Sequence, residues 1–150
     1  MGEFPDAWNL TQPARVEEVA TAYVKAGSQV ILTNTFGSNA IRLRENSLES
    51  SADEINKRGV EISKKAAGEA AKVFASIGPT GKLLLMGEVT PKEMSEAFKK
   101  QAAALAEAGA DALVIETMSD LEEAKLALAA AKSTGLPVVA CMVFDAGKGK

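Results

Sequence analysis

Residues 22–36, AYVKAGSQVILTNTF, align without a gap to residues 104–118, ALAEAGADALVIETM. The alignment sets Ala26-Gly27 on Ala108-Gly109, Asn34 on Glu116 and Thr35 on Thr117. Each copy reads as the end of an apolar-striped helix, a glycine, and a strand that turns polar at its carboxyl end. A repeat of this kind restricts the chain to folds assembled from successive helix–strand units.

The rest of the sequence fits that unit. From Thr11 to Gly27 a helix is expected, with Val16, Val19, Ala20, Tyr23 and Val24 on one stripe, Pro13 in the first turn and Gly27 as cap. VILTNTF, residues 30–36, begins β-branched and apolar without alternation, as in a parallel strand covered on both faces. A second helix is expected over about Ser51 to Lys72, with Ile55, Ile62, Ala66 and Ala70 inward. It leads into VFASIGPTG, a strand that breaks at Gly78 and Pro79. Thr90, Pro91 and Glu93 spell a capping box, and Met94, Phe98, Ala102 and Leu105 continue the stripe to Gly109. DALVIETM is the next strand. Ser119 and Glu122 read as a second capping box, Leu121, Ala124, Leu128 and Ala131 face inward, and Gly135 precedes a last strand, PVVACMVF.

Strands joined by helices are parallel neighbours linked by right-handed crossovers. The fold class is α/β, with two architectures open on the residues alone. A doubly wound open sheet is complete with four or five strands, whereas a (β/α)8 TIM barrel of about 250 residues would be half present, as a partial barrel. The repeat, with polar residues at one level of each strand, favours the barrel.

With 47% hydrophobic residues the 150-residue chain can bury the core of one domain. Its net charge of −3 comes from interspersed acids and bases, which leaves no basic footprint for nucleic acid or an anionic membrane. No apolar run approaches the roughly 20 residues that span a bilayer, no apolar signal region opens the chain, and a cytoplasmic location is expected. One cysteine permits no internal disulfide, and histidine is absent. Chemistry must therefore rest on carboxylates, amides and hydroxyls.

In either architecture the carboxyl ends of the strands share one face, which gathers Asn34, Thr35, Ser76, Glu116, Thr117 and Asp145. Thr35, Ser76 and Thr117 also suit side-chain capping of a turn. Glu116 also suits the dipole of the following helix, but that helix has its own cap, which makes a further anion redundant. A carboxylate at a buried strand end calls for a cation, such as an amino group. SIGPTGKLL departs from a phosphate loop because Leu83 stands where a hydroxyl residue belongs and no helix begins there. Cys141, among apolar neighbours, reads as a small buried hydrophobe.

Taken in order, WNLTQPARVEEVATAYVKAGSQVILTNTFGSN, SIGPTG, IETMSDLEEAKLAL and GLPVVACMVFD resemble the homocysteine S-methyltransferase (homocysteine-binding) domain family over almost the whole chain. TNTFGSN is most similar to the branch of cobalamin-dependent methionine synthase. The resemblance implies a (β/α)8 barrel and methyl transfer to a homocysteine thiolate held on a zinc ion by three cysteines. In the methionine synthase branch it also implies cobalamin, brought by a partner domain. It further implies that Glu116 holds the amino group of homocysteine and that Asn34, Thr35, Phe36, Ser76 and Thr117 line the same pocket. No catalytic residue and no metal ligand is carried over, because the family's zinc cysteines lie beyond the fifth strand.

On that reading residues 1–150 are a single partial domain, strands two to five, without the first strand and the zinc-cysteine part. Such a piece would be inactive alone. A self-standing small-ligand module of flavodoxin-like form is the alternative, as is a half barrel that pairs with a second copy or with a missing half. The chain is expected to hold no stoichiometric zinc, since one thiol without imidazole cannot build the coordination zinc prefers. Metal analysis after dialysis checks this. One tightly held zinc per chain, lost on Cys141→Ser, would overturn it.

Overall fold

The computed structural model describes residues 4–144. Four parallel strands, β1 (Val30–Leu32), β2 (Lys72–Ile77), β3 (Ala112–Met118) and β4 (Val138–Met142), lie side by side in chain order. The helices between them are α2 (Pro13–Lys25) before β1, α3 (Ala40–Arg44) and α4 (Ala52–Ala67) before β2, α5 (Pro91–Glu107) before β3, and α6 (Leu121–Lys132) before β4. A short α1 (Trp8–Thr11) follows a 3-10 turn at Pro5–Ala7. None of these helices is long and apolar enough to cross a membrane.

Strand order separates the two architectures left open by the sequence. A doubly wound sheet reverses its order at a switch point, which sends helices to both faces. Here the order never reverses, so right-handed crossovers place every connecting helix on one face, as in a barrel wall. Burial alternates accordingly. Ile31 is 4% exposed against the helices, while its neighbours Val30 and Leu32 are 42% and 47% exposed on the opposite face. The main core lies between α5, α6 and the centre of the sheet, around Phe98, Met94, Leu105, Leu113, Ile115 and Met118. A smaller cluster of Ala20, Ile31, Ala67 and Val73 seats α2 and α4 on β1.

Thr90 and Glu93 form the expected capping box, and Met94, Phe98, Ala102 and Leu105 are all buried. Other expectations are corrected. The first strand ends at Leu32 rather than Phe36, because after the Thr33 N–H has met Phe74 O the main-chain ladder stops and Asn34 turns to the N-terminal segment. The second helix stops at Ala67 with Gly68 at φ +50°, which leaves Ala70 exposed. Asp120, not Ser119, caps α6, accepting the Glu122 and Glu123 N–H groups at 2.8 and 2.9 Å. That shift turns Leu121 outward, 59% exposed, and Glu123 inward. Val19 and Tyr23 are also exposed, beside a groove of about 910 Å³ along the outer edge of β1. Cys141 is exposed rather than buried, since β4 is the outermost strand and nothing among the described residues covers its inner face.

At the amino end of the strands Asp111 joins three elements. Its Oδ2 accepts the Val73 N–H at 2.7 Å and pairs with Lys64 Nζ at 2.8 Å, with Lys72 Nζ 4.0 Å from Oδ1. Burial pushes the Asp111 carboxyl up, but Lys64, the Val73 N–H and Lys72 outweigh it and hold it below the ordinary range. A depressed carboxyl stabilises the fold above its unfolded value, and the stabilisation is lost as pH falls through the folded value. Wild-type protein should therefore exceed Asp111→Asn in urea midpoint at neutral pH, and the gap should close below the ordinary aspartate range. Urea curves of both proteins across pH check this.

Candidate functional site

The carboxyl ends of β1 to β3 converge on one short hydrogen bond, in which Ser76 Oγ donates to Glu116 Oε1 at 2.5 Å. Glu116 sits in a β-bulge. Ile115 pairs with Ala140 and Met118 with Met142, so three steps on β3 meet two on β4. Thr117 takes up the extra residue at φ +62°, a left-handed conformation that is costly for a β-branched side chain. The bulge bends the end of β3, and Glu116 is left half-buried beside Ser76, with Thr117 exposed next to it. Among the described residues no lysine or arginine pairs with Glu116.

Ser76, itself 1% exposed, is held from the β1 side. Its N–H donates to Thr33 Oγ1 at 3.0 Å, and its carbonyl accepts from Thr35 Oγ1 at 2.8 Å. Thr35 is fully buried, and its own carbonyl receives Gln101 Nε2 at 2.9 Å. Asn34 faces the other way. Its amide donates to Pro5 O at 2.8 Å and Asn9 Oδ1 at 3.1 Å, while Asn9 Nδ2 returns bonds to Asn34 O and Ile55 O. Phe36, 41% exposed, lies over Gly78, whose N–H donates to Phe36 O at 2.8 Å. Ser76 and Glu116 thus meet at the mouth formed by the strand ends, with Thr117 next in the chain and Phe36 packed on Gly78, whereas Thr35 and Asn34 are engaged behind it. Asp145 lies outside the described residues.

Several residues that shape the site escaped the sequence reading. Asp6 Oδ1 accepts the Gly37 N–H at 2.8 Å and Ser38 Oγ at 2.7 Å, which fixes the turn after Phe36. Burial raises the Asp6 carboxyl above its ordinary range against those two bonds and the nearby Arg42. Glu123, 4% exposed, accepts both the N–H and the hydroxyl of Thr80 at 2.7 Å, tying the loop after β2 to α6. Asn39 caps α3 through the Arg42 N–H at 2.9 Å. The i, i+2 spacing of Thr33 and Thr35 was legible as one side of an extended segment. Asp6 and Asn9 gave no periodic signal.

The donor set does not fit the zinc implied by the resemblance. Among the described residues no three His, Cys, Asp or Glu side chains converge to hold a metal. The single thiol, Cys141, is exposed on β4. What the arrangement can do is take up a cation: a half-buried carboxylate at a strand end, with no lysine or arginine paired to it among the described residues, suits the ammonium group of a small ligand.

A Cβ on Gly78 would come within 2.6–2.7 Å of three Phe36 ring atoms, so Gly78→Ala must displace the ring. We expect it to lower stability by about 1–3 kcal/mol as overpacking does, and to cost almost nothing in a Phe36→Ala background. Urea unfolding of the double-mutant cycle measures the difference. Equal costs in both backgrounds would show that the ring is not held there.

A profile of the family described as Homocysteine S-methyltransferase matches residues 3–150. Methionine synthase of Mycobacterium leprae (strain TN) is 30% identical over 126 residues, which cover 80% of this chain and 10% of that protein. Methionine synthase of Mycobacterium tuberculosis (strain ATCC 25618 / H37Rv) is 29% identical over 126 residues, 80% of this chain and 11% of that one. The oxidized form of the homocysteine methyltransferase MmuM from Escherichia coli superposes with a TM-score of 0.74 at 22% identity. The match covers 96% of this chain and 56% of MmuM. Its metallated form gives the same score and covers 57% of that chain. This chain therefore spans about a tenth of those methionine synthases and little more than half of MmuM. The fold is that of part of the MmuM barrel wall, and the match over nearly all its residues makes the chain a member of the homocysteine S-methyltransferase family.

Proposed function

We propose that this chain supplies the amino-group side of a homocysteine-binding site in a methyltransferase barrel, with Glu116 as the acceptor for the substrate ammonium. The observation that carries the reading is the state of Glu116: half-buried, fixed by Ser76, and without a protein cation among the described residues. An ammonium ligand would complete the pair. Thr117 follows Glu116 in the chain and is exposed, Phe36 lies on Gly78 two residues beyond Ser76, and Thr35 and Asn34 hold the strand end that Ser76 and Phe36 depend on.

Methyl transfer itself is assigned to the complete barrel and not to residues 1–150 alone. Zinc, and cobalamin in the methionine synthase branch, would be held by residues other than those described here. The edges of β1 and β4, unpaired among the described residues, and the exposed Val30, Leu32 and Val139 support completion of the sheet by further barrel strands, from the same polypeptide or from a second copy. Isolated protein should then self-associate, which light scattering reads. A compact monomer with cooperative unfolding would favour the self-standing sheet.

Glu116→Gln keeps the shape of the side chain and removes its charge. A charge-assisted hydrogen bond contributes on the order of 1.5–3 kcal/mol, so homocysteine affinity should fall roughly ten- to a hundredfold while the fold persists. Titration calorimetry with unfolding curves beside it checks both halves of the expectation. Unchanged affinity with lowered stability would make Glu116 a structural residue.

A further inference from the structure

After Leu32 the main chain of β1 leaves β2, and side-chain hydroxyls take over from the sheet ladder. Thr33 N–H still donates to Phe74 O at 3.2 Å. Beyond it, the Ser76 N–H meets Thr33 Oγ1 instead of a strand carbonyl, and the Ser76 carbonyl meets Thr35 Oγ1 instead of a strand amide. The two threonine hydroxyls touch at 2.6 Å. Proton counting fixes the direction of the chain. A hydroxyl has one proton, and Thr35 gives its own to the Ser76 carbonyl, so the proton between the threonines comes from Thr33. Thr33 then has lone pairs left for the Ser76 N–H.

The result is a Ser76 whose N–H and carbonyl are both held from the β1 side, with its hydroxyl proton directed at Glu116 Oε1. Thr33, Thr35 and Ser76 are 6%, 0% and 1% exposed, so water does not compete along the chain. A merely structural reading makes these hydroxyls a strand terminator. That reading leaves the Ser76 side chain without a purpose, since alanine would suit a buried sheet position equally well.

We propose that Thr33, acting with Thr35, is a positioning residue for the Glu116 carboxylate. Its hydroxyl starts a relay that fixes Ser76, Ser76 fixes the carboxylate, and the relay makes the site select ligands that carry an α-ammonium group. The proposal rests on the reading of Glu116 as the ammonium acceptor.

The test compares L-homocysteine with 4-mercaptobutyrate, which lacks only the amino group, by titration into the 150-residue protein. Wild type should prefer homocysteine, and Glu116→Gln should abolish the preference. Thr33→Val and Ser76→Ala should each reduce the preference roughly three- to tenfold with little change in 4-mercaptobutyrate affinity. Thr33→Ser, which keeps the hydroxyl, should restore it, and Thr33→Val should add nothing to Glu116→Gln. If Thr33→Val weakens both ligands equally, or neither, while Glu116→Gln removes the preference, the relay is wrong and the assignment of Glu116 stands. A wild type that shows no preference for homocysteine, or a Glu116→Gln that keeps it, overturns the assignment and the relay with it. Ser76→Ala leaves the strand main chain and both threonines in place, and gives the same readout if Thr33→Val does not fold.

Discussion

Parallel pairing of β2 with β3, with Ser76 beside Val114 and Ile77 beside Ile115, sets the height at which a β2 side chain can reach the end of β3. At that height Ser76 Oγ meets Glu116. Moving the register by one residue would turn Ser76 toward the helices and leave the carboxylate facing apolar side chains, which is far more costly than the pairing lost. The bulge at Glu116 and Thr117 and the hydroxyls of Thr33 and Thr35 are both adjustments around this contact. One breaks the β3–β4 register at Glu116, and the others hold the Ser76 main chain in place.

The polar layer behind the mouth explains why a strand end can be buried at all. Asn9, Asn34, Thr33, Thr35, Ser38, Asn56 and Gln101 are mutually bonded or bonded to main chain where the ladder has ended. Buried polar groups are tolerable when their partners are in place, and most of these have them; Gln101 Oε1 and Asn39 Nδ2 are the buried side-chain atoms left without one among the described residues. The T-N-T-F-G-S-N segment is then a set of assignments: Thr33 and Thr35 to Ser76, Asn34 to the N-terminal turn, Phe36 to Gly78, Ser38 to Asp6 and Asn39 to α3. A segment with so many fixed partners has little freedom to vary.

Membership of the homocysteine S-methyltransferase family and a single-faced parallel sheet agree with one another. In a barrel the helix-covered face is outer wall and the bare face is interior, which accounts for Val30, Leu32 and Val139 being exposed in a four-stranded piece. It also accounts for Cys141, an apolar-looking residue in sequence that lies on an uncovered strand here. The carboxylate at the mouth is the group to which the proposed function gives the amino-acid ligand, and the metal chemistry of the family finds no donors among the described residues.

By itself the sequence determined the order of helices and strands, the face on which the polar strand ends gather and the buried stripe of α5, since these follow from local periodicity and caps that neighbouring residues dictate. It also marked Glu116, because a carboxylate in an apolar run is conspicuous without any fold. Tertiary structure decided what local pattern could not. The cap of α6 moved to Asp120 because Glu123 is drawn inward to Thr80, a residue 43 positions earlier. β1 ended early because Asn34 finds its partners at Pro5 and Asn9, and Asp6 became a site residue because Gly37 and Ser38 came to it. Such pairings join residues tens of positions apart, and hydrogen bonds of that range leave no period in the sequence to read.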